Sequence, residues 1–300
     1  MEFSEVTLEN LERIFAYTSA YGEGSCQHSP ISMYSLKEKY DDRVCEKDGF
    51  LYILRSGLCD DTYRVYLAPL GEGDLRGAFE NILSDAASHG KKVKFLTLTE
   101  KTKTALEEAF PGRFTYEGDR DLSEYVYRTE VMSTYAGKKL RKRRQEVAKF
   151  WAAYGDRATV KKIEASDFPD ILAFEKRWVE INSETNDRSS LELEAREIER
   201  QLAIFDELHL SGIVLRIDGE VHGFGYGTKL SDEMYDAIIE KGDRDVPDIY
   251  KILRQESVKQ CAVVCPYVNL EEDVGLPGLR AVKLAYQPEY LIDKYIVTEV

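Results

Sequence analysis

Three consecutive carboxylates mark one stretch near the end of the sequence. Glu271, Glu272 and Asp273 come directly after a short apolar segment, and two glycines flanking Pro277 follow them. Carboxylates on a loop at the end of a rigid element can accept a proton or bind an ammonium group. The stretch therefore has the composition of an acid–base or binding site. A solvated Gly/Pro turn is the alternative that the composition leaves open.

Basic side chains lie beyond that turn. Leu279, Val282 and Leu284 recur at the spacing of a short helix, and Arg280 and Lys283 fall on its other faces. These two cations could hold a phosphate or stabilise an oxyanion. Acids and cations would then surround one opening.

The elements that must position this stretch alternate between strands and helices, which is typical of an α/β or α+β protein. Residues 261–268 are rich in valine and predict a strand that ends at the carboxylates. The same patterns predict further strands at residues 50–55, 63–68, 93–98, 159–163, 213–217, 221–226, 234–239 and 290–300. The first two of these should form one hairpin, and the two strands around Asp218-Gly219 should form another.

Helix-spaced apolar residues predict the helices. Residues 26–42 and 185–189 are expected to be loops, and Ser189, three residues before Glu192, predicts a capping box. The helices are expected to begin near Leu8, Asp74, Thr99, Asp167, Ser189 and Pro247.

Residues 137–144 form a strongly basic segment in an acidic protein. All but two of its residues are cations: Lys138, Lys139, Arg141, Lys142, Arg143 and Arg144. Leu140, Val147 and Trp151 follow at helical spacing, which predicts a helix with one apolar seam. Charge runs are usually solvated linkers, but this one lies where two domains should join, a place that favours clefts. We therefore expect it to bind phosphate groups.

The overall composition limits the class of protein. A chain of 300 residues, 43% hydrophobic and 32% charged, is long enough for two domains with separate cores. The net charge of −14 argues against general nucleic-acid or membrane-surface binding, so any RNA or lipid contact would be local and transient. The first residues lack the features of a signal peptide, and no segment approaches the roughly 20 apolar residues of a membrane span. We expect a cytoplasmic protein without a transmembrane segment.

The cysteines and histidines predict no metal site. Five scattered cysteines without a secretory signal indicate reduced thiols. Cys261 and Cys265 are four residues apart, but no histidine or second cysteine pair lies near them, so buried small hydrophobes are favoured over a zinc site.

Several of these motifs together resemble the C-terminal catalytic domain family of phosphatidylglycerol lysyltransferases. The motifs are Asn269-Leu-Glu-Glu-Asp273, the Gly-Leu-Pro-Gly-Leu-Arg280 that follows, Lys283-x-x-Tyr-x-Pro288, the basic segment 137–144 and Gly212-x-x-Leu-Arg-x-Asp-Gly219. The likeness covers nearly the whole chain and is dense from about Tyr125 onward. It implies two GNAT-like acyltransferase domains in tandem, an architecture also used by Fem-type peptidoglycan aminoacyltransferases.

The implied fold class is α+β, with each GNAT-like domain a mixed, mostly antiparallel sheet flanked by helices. We expect an N-terminal GNAT-like domain at residues 1–128, a basic linker helix at 129–157 and a C-terminal GNAT-like domain with the family motifs at 158–300. No internal repeat is visible in the sequence, so a tandem duplication would have diverged.

The resemblance also implies roles for individual residues. The catalytic residues would be Glu271, Glu272, Asp273 and Tyr286, the last at a position where GNAT enzymes often carry a tyrosine general acid. The substrate-binding residues would be Asn269, Arg280, Lys283, Glu240, Lys241, Asp243 and the six cations of the basic segment. Those at 240, 241 and 243 match the family's Glu-Lys-x-Asp and would face the same opening as the carboxylates. A salt-bridge network closing the end of the sheet is the alternative for this set.

The turn that would hold acetyl-CoA argues against that cofactor. GNAT enzymes place the pyrophosphate on a glycine-rich turn at a helix N-terminus, whereas residues 241–250 contain one glycine and three aspartates. These carboxylates would repel a pyrophosphate, so we expect no cofactor. The donor used in this branch of the family is aminoacyl-tRNA, and its acceptor end would contact the basic segment.

The sequence thus predicts a lysyltransferase-like aminoacyltransferase that moves an aminoacyl group from aminoacyl-tRNA to a lipid or to a small amine or hydroxyl acceptor. The alternative is a non-catalytic protein that binds a polyanion or lipid and retains the tandem GNAT fold. Motifs of serine hydrolases, P-loop NTPases, zinc proteases and Rossmann dehydrogenases do not occur in the sequence.

Overall fold

Two β-sheets, each flanked by helices, organise the protein in a computed structural model that describes residues 1–184 and 187–300. The chain divides into two units. The first comprises residues 1–125, 272–281 and 291–300, and the second comprises residues 126–271 and 282–290. The expected domain boundary at 128 lies close to the first crossing between the units. However, two segments expected in the C-terminal domain belong to the first unit instead.

The strands alternate with the helices along the chain. In order, the strands are β1 (Ser4–Glu5), β2 (Asp42–Lys47), β3 (Phe50–Arg55), β4 (Tyr63–Tyr66), β5 (Leu70–Gly71), β6 (Lys92–Leu98), β7 (Phe114–Gly118), β8 (Glu124–Arg128), β9 (Ala158–Lys162), β10 (Ser211–Ile217), β11 (Glu220–Lys229), β12 (Met234–Gly242), β13 (Tyr267–Asn269), β14 (Tyr290–Ile292) and β15 (Tyr295–Glu299). The α-helices are α1 (Leu8–Tyr21), α2 (Pro30–Ser35), α3 (Lys37–Tyr40), α4 (Leu75–Ser88), α5 (Glu100–Ala109), α6 (Thr129–Thr134), α7 (Arg141–Tyr154), α8 (Phe168–Asn182), α9 (Arg188–Ala203), α10 (Ile249–Gln260) and α11 (Pro277–Ala285).

The two sheets share one strand pattern. The first has the order β1-β2-β3-β4-β6-β15-β7, with β5 paired to β3, and the second has the order β9-β10-β11-β12-β13-β8-β14. In each sheet, four sequential antiparallel strands are followed by a crossover helix and a strand that pairs in parallel, β4 with β6 and β12 with β13. The next strand comes from a distant part of the chain, β15 in the first sheet and β8 in the second. The shared pattern confirms the expected α+β class with two mostly antiparallel sheets.

Local sequence explains most of the helices. Asp74 and Thr99 cap α4 and α5, and each side chain accepts a hydrogen bond from a backbone N–H of the first turn. The helix α9 begins one residue before the predicted capping box, because Asp187 accepts the bond from Ser190 N at 3.0 Å. Thr185 and Asn186 of the predicted loop lie outside the described residues.

Turn residues set both hairpins. Asp218 and Gly219 have φ of +52° and +88°, as a two-residue turn of type I′ requires, so the predicted β10–β11 hairpin is confirmed. Asp48 and Gly49 have φ of +53° and +81° and join β2 to β3 in the same way. The hairpin predicted between residues 50–55 and 63–68 is also present, because β3 and β4 are consecutive antiparallel neighbours, although they pair only at Leu54 and Tyr66.

Three other predictions differ from the structure. Residues 26–42 are largely helical, because Ser29 and Pro30 begin α2. The apolar residues 261–268 were predicted to be one strand. Instead, α10 ends at Gln260, a 3₁₀ turn follows at Ala262–Val264, and the strand β13 begins only at Tyr267. The expected last strand is two strands, and β15 lies between β6 and β7 in the sheet of the first unit.

Aromatic residues dominate both cores. In the first unit, Tyr66 and Phe79 pack around Phe95, with ring centroids 6.4 and 5.8 Å away. In the second, Phe174 of α8 meets Phe224 of β11 edge to face at 6.0 Å. Gly223, the residue before Phe224, leaves room for Leu253 of α10 on the opposite face of the strand. The second sheet is therefore covered by α8 and α9 on one face and by α10 on the other.

Candidate functional site

Tyr286 lies in a cluster of aromatic and basic side chains in the second unit. Its ring centroid is 5.5 Å from that of Tyr135, and the guanidinium carbons of Arg254 and Arg143 lie 4.7 and 5.2 Å from it. The hydroxyl of Tyr135 donates to the carbonyl of Lys251 at 2.8 Å, which fixes that ring against α10. Tyr286 itself is 2% exposed. We call this group the Tyr286 cluster.

Glu240 and Arg254 form the charged part of the Tyr286 cluster. Arg254 Nη2 donates to Glu240 Oε1 at 2.6 Å. Burial raises the pKa of Glu240, against the opposing effect of Arg254. Burial acts to lower the pKa of Arg254, but the Glu240 carboxylate outweighs it and the pKa is raised. Within the described residues, Arg254 Nε and Nη1 are buried and have no hydrogen-bond acceptor, so this guanidinium has donors available for an anion or a polarised carbonyl.

The basic segment adjoins the Tyr286 cluster. Arg143 donates to Glu146 at 2.7 Å while its guanidinium lies over the Tyr286 ring. Arg144 donates to the carbonyls of Tyr135 and Gly137 and so fixes the loop before α7. The remaining four cations, Lys138, Lys139, Arg141 and Lys142, are exposed. The apolar seam of α7 differs from the prediction, because Leu140 and Phe150 are its buried residues and Trp151 is only half-buried.

Lys241 faces away from the Tyr286 cluster. Its ammonium group contacts Glu194 of α9, lies 3.7 Å from Glu175 Oε1 of α8 and sits 3.8 Å from the ring centroid of Trp178. Neighbouring residues of a strand point to opposite faces of a sheet. The expectation that Glu240 and Lys241 face the same opening is therefore wrong.

Asp243 occupies a third place, beyond the end of β12. Its carboxylate lies 3.0 Å from His222 Nδ1 and also accepts a hydrogen bond from the amide of Asp245 at 2.9 Å. Both side chains line a cavity of about 240 Å³ beside Trp178. Asp248 precedes the first residue of α10 and pairs with Lys251 at 3.0 Å. The turn expected to repel a pyrophosphate therefore places an acid directly at the helix N-terminus.

Asp273 and Arg280 form a dense ion-pair cluster in the first unit. Asp273 is fully buried and accepts two bonds from Arg280, at 2.6 and 2.8 Å, one from Tyr125 at 2.5 Å and one from the amide of Gly275 at 3.0 Å. Arg280 also pairs with Asp121 at 2.6 Å. The hydrogen bonds from Arg280, opposed by burial and helped by Tyr125, hold the pKa of Asp273 well below its usual range. This arrangement matches the salt-bridge alternative for these two residues.

The other predicted residues are placed separately. In the first unit, the Glu272 carboxylate accepts from Gln27 Nε2 at 3.3 Å and from the thiol of Cys26 at 3.5 Å. In the second, Asn269 is buried and accepts from the amide of Glu271, which has φ of +57°. Lys283 donates to the carbonyl of Leu270, and its own carbonyl accepts from Tyr127 at 2.8 Å. These contacts shape the loop after β13.

Several residues of these clusters escaped the sequence analysis. Glu175 and Arg254 lie inside the ordinary amphipathic helices α8 and α10, and Tyr135 directly follows the short helix α6, so nothing in their local sequence distinguishes them. His222 follows the Asp218-Gly219 turn, and it becomes a candidate site residue only through its contact with Asp243. The alternation of strand residues was the one available signal, and it would have separated Glu240 from Lys241.

Two further observations concern ligands and membranes. No set of three or more His, Cys, Asp or Glu side chains in residues 1–184 and 187–300 is arranged to hold a metal ion. The helices described there include none that is long and apolar enough to cross a membrane. The five cysteines are free thiols.

Comparison with known structures shows the fold. A protein of unknown function from Bacteroides thetaiotaomicron VPI-5482 superposes with a TM-score of 0.93 and 26% identity, with all of both chains covered. The L-PGS of Bacillus licheniformis gives 0.67 at 15% identity, covering 99% of this chain and 93% of that one. FemX gives 0.64 at 8% identity, covering 100% and 98%. The fold is thus the tandem GNAT-like fold that this chain shares with Fem-type proteins.

Comparison with protein families agrees with the motifs and the fold. Residues 19–298 match the family described as "Phosphatidylglycerol lysyltransferase, C-terminal". That match includes both units, the Tyr286 cluster, the basic segment and the Asp273–Arg280 pair. The chain therefore belongs to the phosphatidylglycerol lysyltransferase C-terminal family.

Proposed function

We propose that this protein is an aminoacyltransferase that transfers an aminoacyl group from aminoacyl-tRNA to a hydroxyl or amine acceptor, on a lipid or a small molecule. Membership of the family and the tandem GNAT-like fold support an aminoacyltransferase-like function. The observation that carries the proposal is the contact between Arg143 and Tyr286. Through it, the segment suited to bind tRNA phosphates adjoins the tyrosine suited to proton transfer.

The proposed reaction needs a group that protonates the leaving oxygen and a group that stabilises the negative charge on the carbonyl oxygen. The acceptor O–H or N–H attacks the ester carbonyl of the donor, the ester bond breaks, and the terminal ribose hydroxyl leaves with a proton. In our proposal Tyr286 gives that proton to the leaving oxygen. Arg254, with two N–H donors unpaired within the described part of the chain, stabilises the negative charge that develops on the carbonyl oxygen.

Two features of the second unit favour one donor substrate over another. The exposed cations Lys138, Lys139, Arg141 and Lys142 form a local positive patch in a protein of net charge −14. Phosphate contacts of this kind supply most of the affinity of proteins for nucleic acids. Asp248 at the N-terminus of α10 disfavours a CoA pyrophosphate at that position. Both observations favour aminoacyl-tRNA over acetyl-CoA as the donor.

We further propose Glu272, which belongs to the first unit, as a candidate proton acceptor on the basis of the family motif. Its carboxylate is half-buried and accepts from the amide of Gln27 at 3.3 Å and from the thiol of Cys26 at 3.5 Å. Asp273 is a weaker candidate, because Arg280, Tyr125 and a backbone amide hold its carboxylate. Glu271 stays in the proposal as a group that could bind the donor's α-ammonium.

One observation favours the alternative, a non-catalytic protein that binds a polyanion or lipid. Tyr286 is 2% exposed and Asp273 is fully engaged, so two of the predicted catalytic groups are covered by the protein's own side chains. A binding protein would need only the basic segment.

A discharge assay tests the proposal and separates the two functions. Charged tRNAs are incubated with the protein and with mixed lipids or small amines, and acetyl-CoA is run in parallel. Loss of one aminoacyl-tRNA faster than its uncatalysed hydrolysis, with the aminoacyl group recovered on the acceptor, is the expected result. Turnover of acetyl-CoA would overturn the donor assignment. Binding of tRNA or lipid without any transfer would favour the binding protein.

A further inference from the structure

A second cavity, of about 450 Å³, lies between α8 and α9 in the second unit. Its apolar wall consists of Leu172 and Val179 of α8 and Ala195 of α9. It lies by the face of the second sheet that Lys241 occupies, whereas Glu240 and the Tyr286 cluster lie by the other face. The cavity is thus separate from the site proposed above.

The buried wall of this cavity contains an unusual carboxyl group. Glu175 lines the cavity but is only 2% exposed. Neither of its oxygens accepts a hydrogen bond from the described residues. Lys241 is 3.7 Å away and is directed more closely to Glu194. A buried carboxyl group without a donor is costly, so this position calls for a partner that can donate.

The charged side chains that line the cavity differ in their exposure to solvent. The cations that line it, Lys176, Arg188 and Arg196, are all exposed, and Arg188 is paired with Glu192 at 2.7 Å. The lining also includes the carboxylates Glu180, Glu192 and Glu199, and among its acidic side chains Glu175 is the buried one. Burial, together with the nearby Glu194, raises the pKa of Glu175 to about 7 against the opposing effect of Lys241. Because Glu175 is the buried carboxyl group of this lining, a cation beside it would be screened less by water than one at the exposed carboxylates.

We propose that the α8–α9 cavity binds a primary alkylammonium group, with the ammonium donating to Glu175 and the methylene chain packed on Leu172, Val179 and Ala195. An ammonium group offers three N–H donors on a compact centre, which suits the two carboxyl oxygens of Glu175. The apolar wall accounts for the alkyl part, because removing methylene groups from water is favourable. The ligand is therefore an amine with an aliphatic chain.

The test uses n-pentylammonium as the probe and 1-pentanol as its neutral analogue. Binding is followed by NMR, through the methyl signals of Leu172, Val179 and Ala195 and the carboxyl carbon of Glu175. We expect n-pentylammonium to shift these signals and to bind about tenfold or more tightly than 1-pentanol, since the alcohol can donate one O–H but has no positive charge to pair with the carboxylate. Equal affinity for the two compounds would overturn the proposal.

Three variants refine the test. Glu175→Gln should weaken n-pentylammonium binding about ten- to a hundred-fold. Ala195→Leu fills the cavity but leaves Glu175 intact, and it should also abolish binding. Glu199→Gln removes an exposed carboxylate that lines the same cavity and should change the affinity by no more than about twofold.

Unchanged binding in Glu175→Gln, or methyl shifts that survive in Ala195→Leu, would contradict the assignment. So would the absence of any shift with either compound in the wild-type protein. The assay contains no tRNA and reads only α8 and α9, so its outcome and the outcome of the discharge assay are independent.

Discussion

Glu240 and Lys241 are consecutive residues of β12 that belong to two separate ion-pair clusters. Glu240 accepts from Arg254 at 2.6 Å beside Tyr286, and Lys241 contacts Glu194 and lies 3.7 Å from Glu175 behind the other face of the sheet. Although one strand supplies both clusters, their side chains lie on opposite faces of the sheet. Each cluster can therefore be altered without removing a residue of the other.

The exposed cations before and at the start of α7 provide a direct test of tRNA binding. Changing Lys138, Lys139 and Lys142 together to Gln should weaken tRNA binding and reduce the slope of log K against log[salt] by about 2 to 3. The physical reason is that fewer counterions are released when fewer phosphates are neutralised. Filter binding across a salt series measures both quantities.

The matched control for that variant removes the same charge elsewhere. Lys47, Lys92 and Lys101 are exposed lysines of the first unit, and their change to Gln should leave the salt slope as in the wild type. An equal loss of slope in both triple variants would mean that net charge, and not the basic segment, determines binding.

Tyr286→Phe tests the proposed general acid. The phenyl ring keeps the contacts with Tyr135, Arg143 and Arg254 but loses the hydroxyl, so we expect kcat for aminoacyl transfer to fall about 10²- to 10⁴-fold while tRNA affinity is retained. Single-turnover kinetics measure the change. Tyr235→Phe is the control, because Tyr235 is also buried on the second sheet and donates to Ser211 at 2.8 Å. A similar loss in both variants would point to a folding effect.

Glu272→Gln tests the proposed base. The amide keeps the size of the side chain but cannot take the acceptor's proton, so turnover should fall at least about 10²-fold with little change in binding. The measurement is the discharge assay alongside tRNA binding. Full activity of this variant would remove Glu272 from the mechanism and leave Glu271 as the remaining acid of the loop.

Asp273→Asn should affect stability. An amide has one acceptor oxygen and no negative charge, so it cannot accept all the bonds that Arg280, Tyr125 and Gly275 donate to the buried carboxylate. We expect a loss of about 3 kcal/mol in the free energy of unfolding at pH 7. The pKa of Asp273 is lowered in the folded protein from an ordinary value of 3.8, so its contribution is present above that value and is lost as the pH falls below it.

Urea unfolding at several pH values checks this prediction. The difference between wild type and Asp273→Asn should shrink as the pH falls below about 4. Asp121→Asn is the comparison variant, because Asp121 is 55% exposed and pairs with the same arginine, so its loss should cost less than about 1 kcal/mol. A cost as large as that of Asp273→Asn would contradict the assignment of burial as the cause.

Glu175 gives the opposite dependence on pH. Its pKa is raised from 4.5 to about 7, so between these values the folded protein binds more protons than the unfolded chain, and stability falls as the pH rises through this window. The groups that face Glu175 are Lys241 on β12, Glu194 on α9 and Tyr226 on β11. In Glu175→Gln the decline should disappear, with a gain over wild type that approaches about 3 kcal/mol at pH 8. Thermal unfolding at pH 5 and pH 8 measures it, and a constant difference would contradict the raised pKa.

Local chemistry explains which parts of the fold were predictable. Asp74 and Thr99 cap their helices through bonds to residues three positions away, and the Asp218-Gly219 turn depends only on its own backbone. Such features are written within a few residues of sequence. The position of β15 between β6 and β7 depends on pairing with strands in the first half of the chain, such as that of Val297 with Phe95, and nothing near residue 295 specifies it.

The candidate site shows the same limit. The basic segment and Tyr286 were predicted from motifs, and the structure places them in contact. Arg254 and Glu175 were not predicted, because their importance arises from burial beside Glu240 and Lys241 and not from their own neighbours in sequence. Asp273 and Arg280 were predicted as site residues, and their geometry instead completes a salt bridge.

The placement of β15 also constrains how the protein is made. The first sheet lacks the strand between β6 and β7 until residues 295–299 have left the ribosome, although β6 was synthesised roughly 10 to 40 s earlier at usual elongation rates. Until then β6 and β7 have unpaired edges open to wrong partners. The first unit is thus the first to be translated and the last to be completed, and a chain interrupted within the second unit would leave both units unfinished.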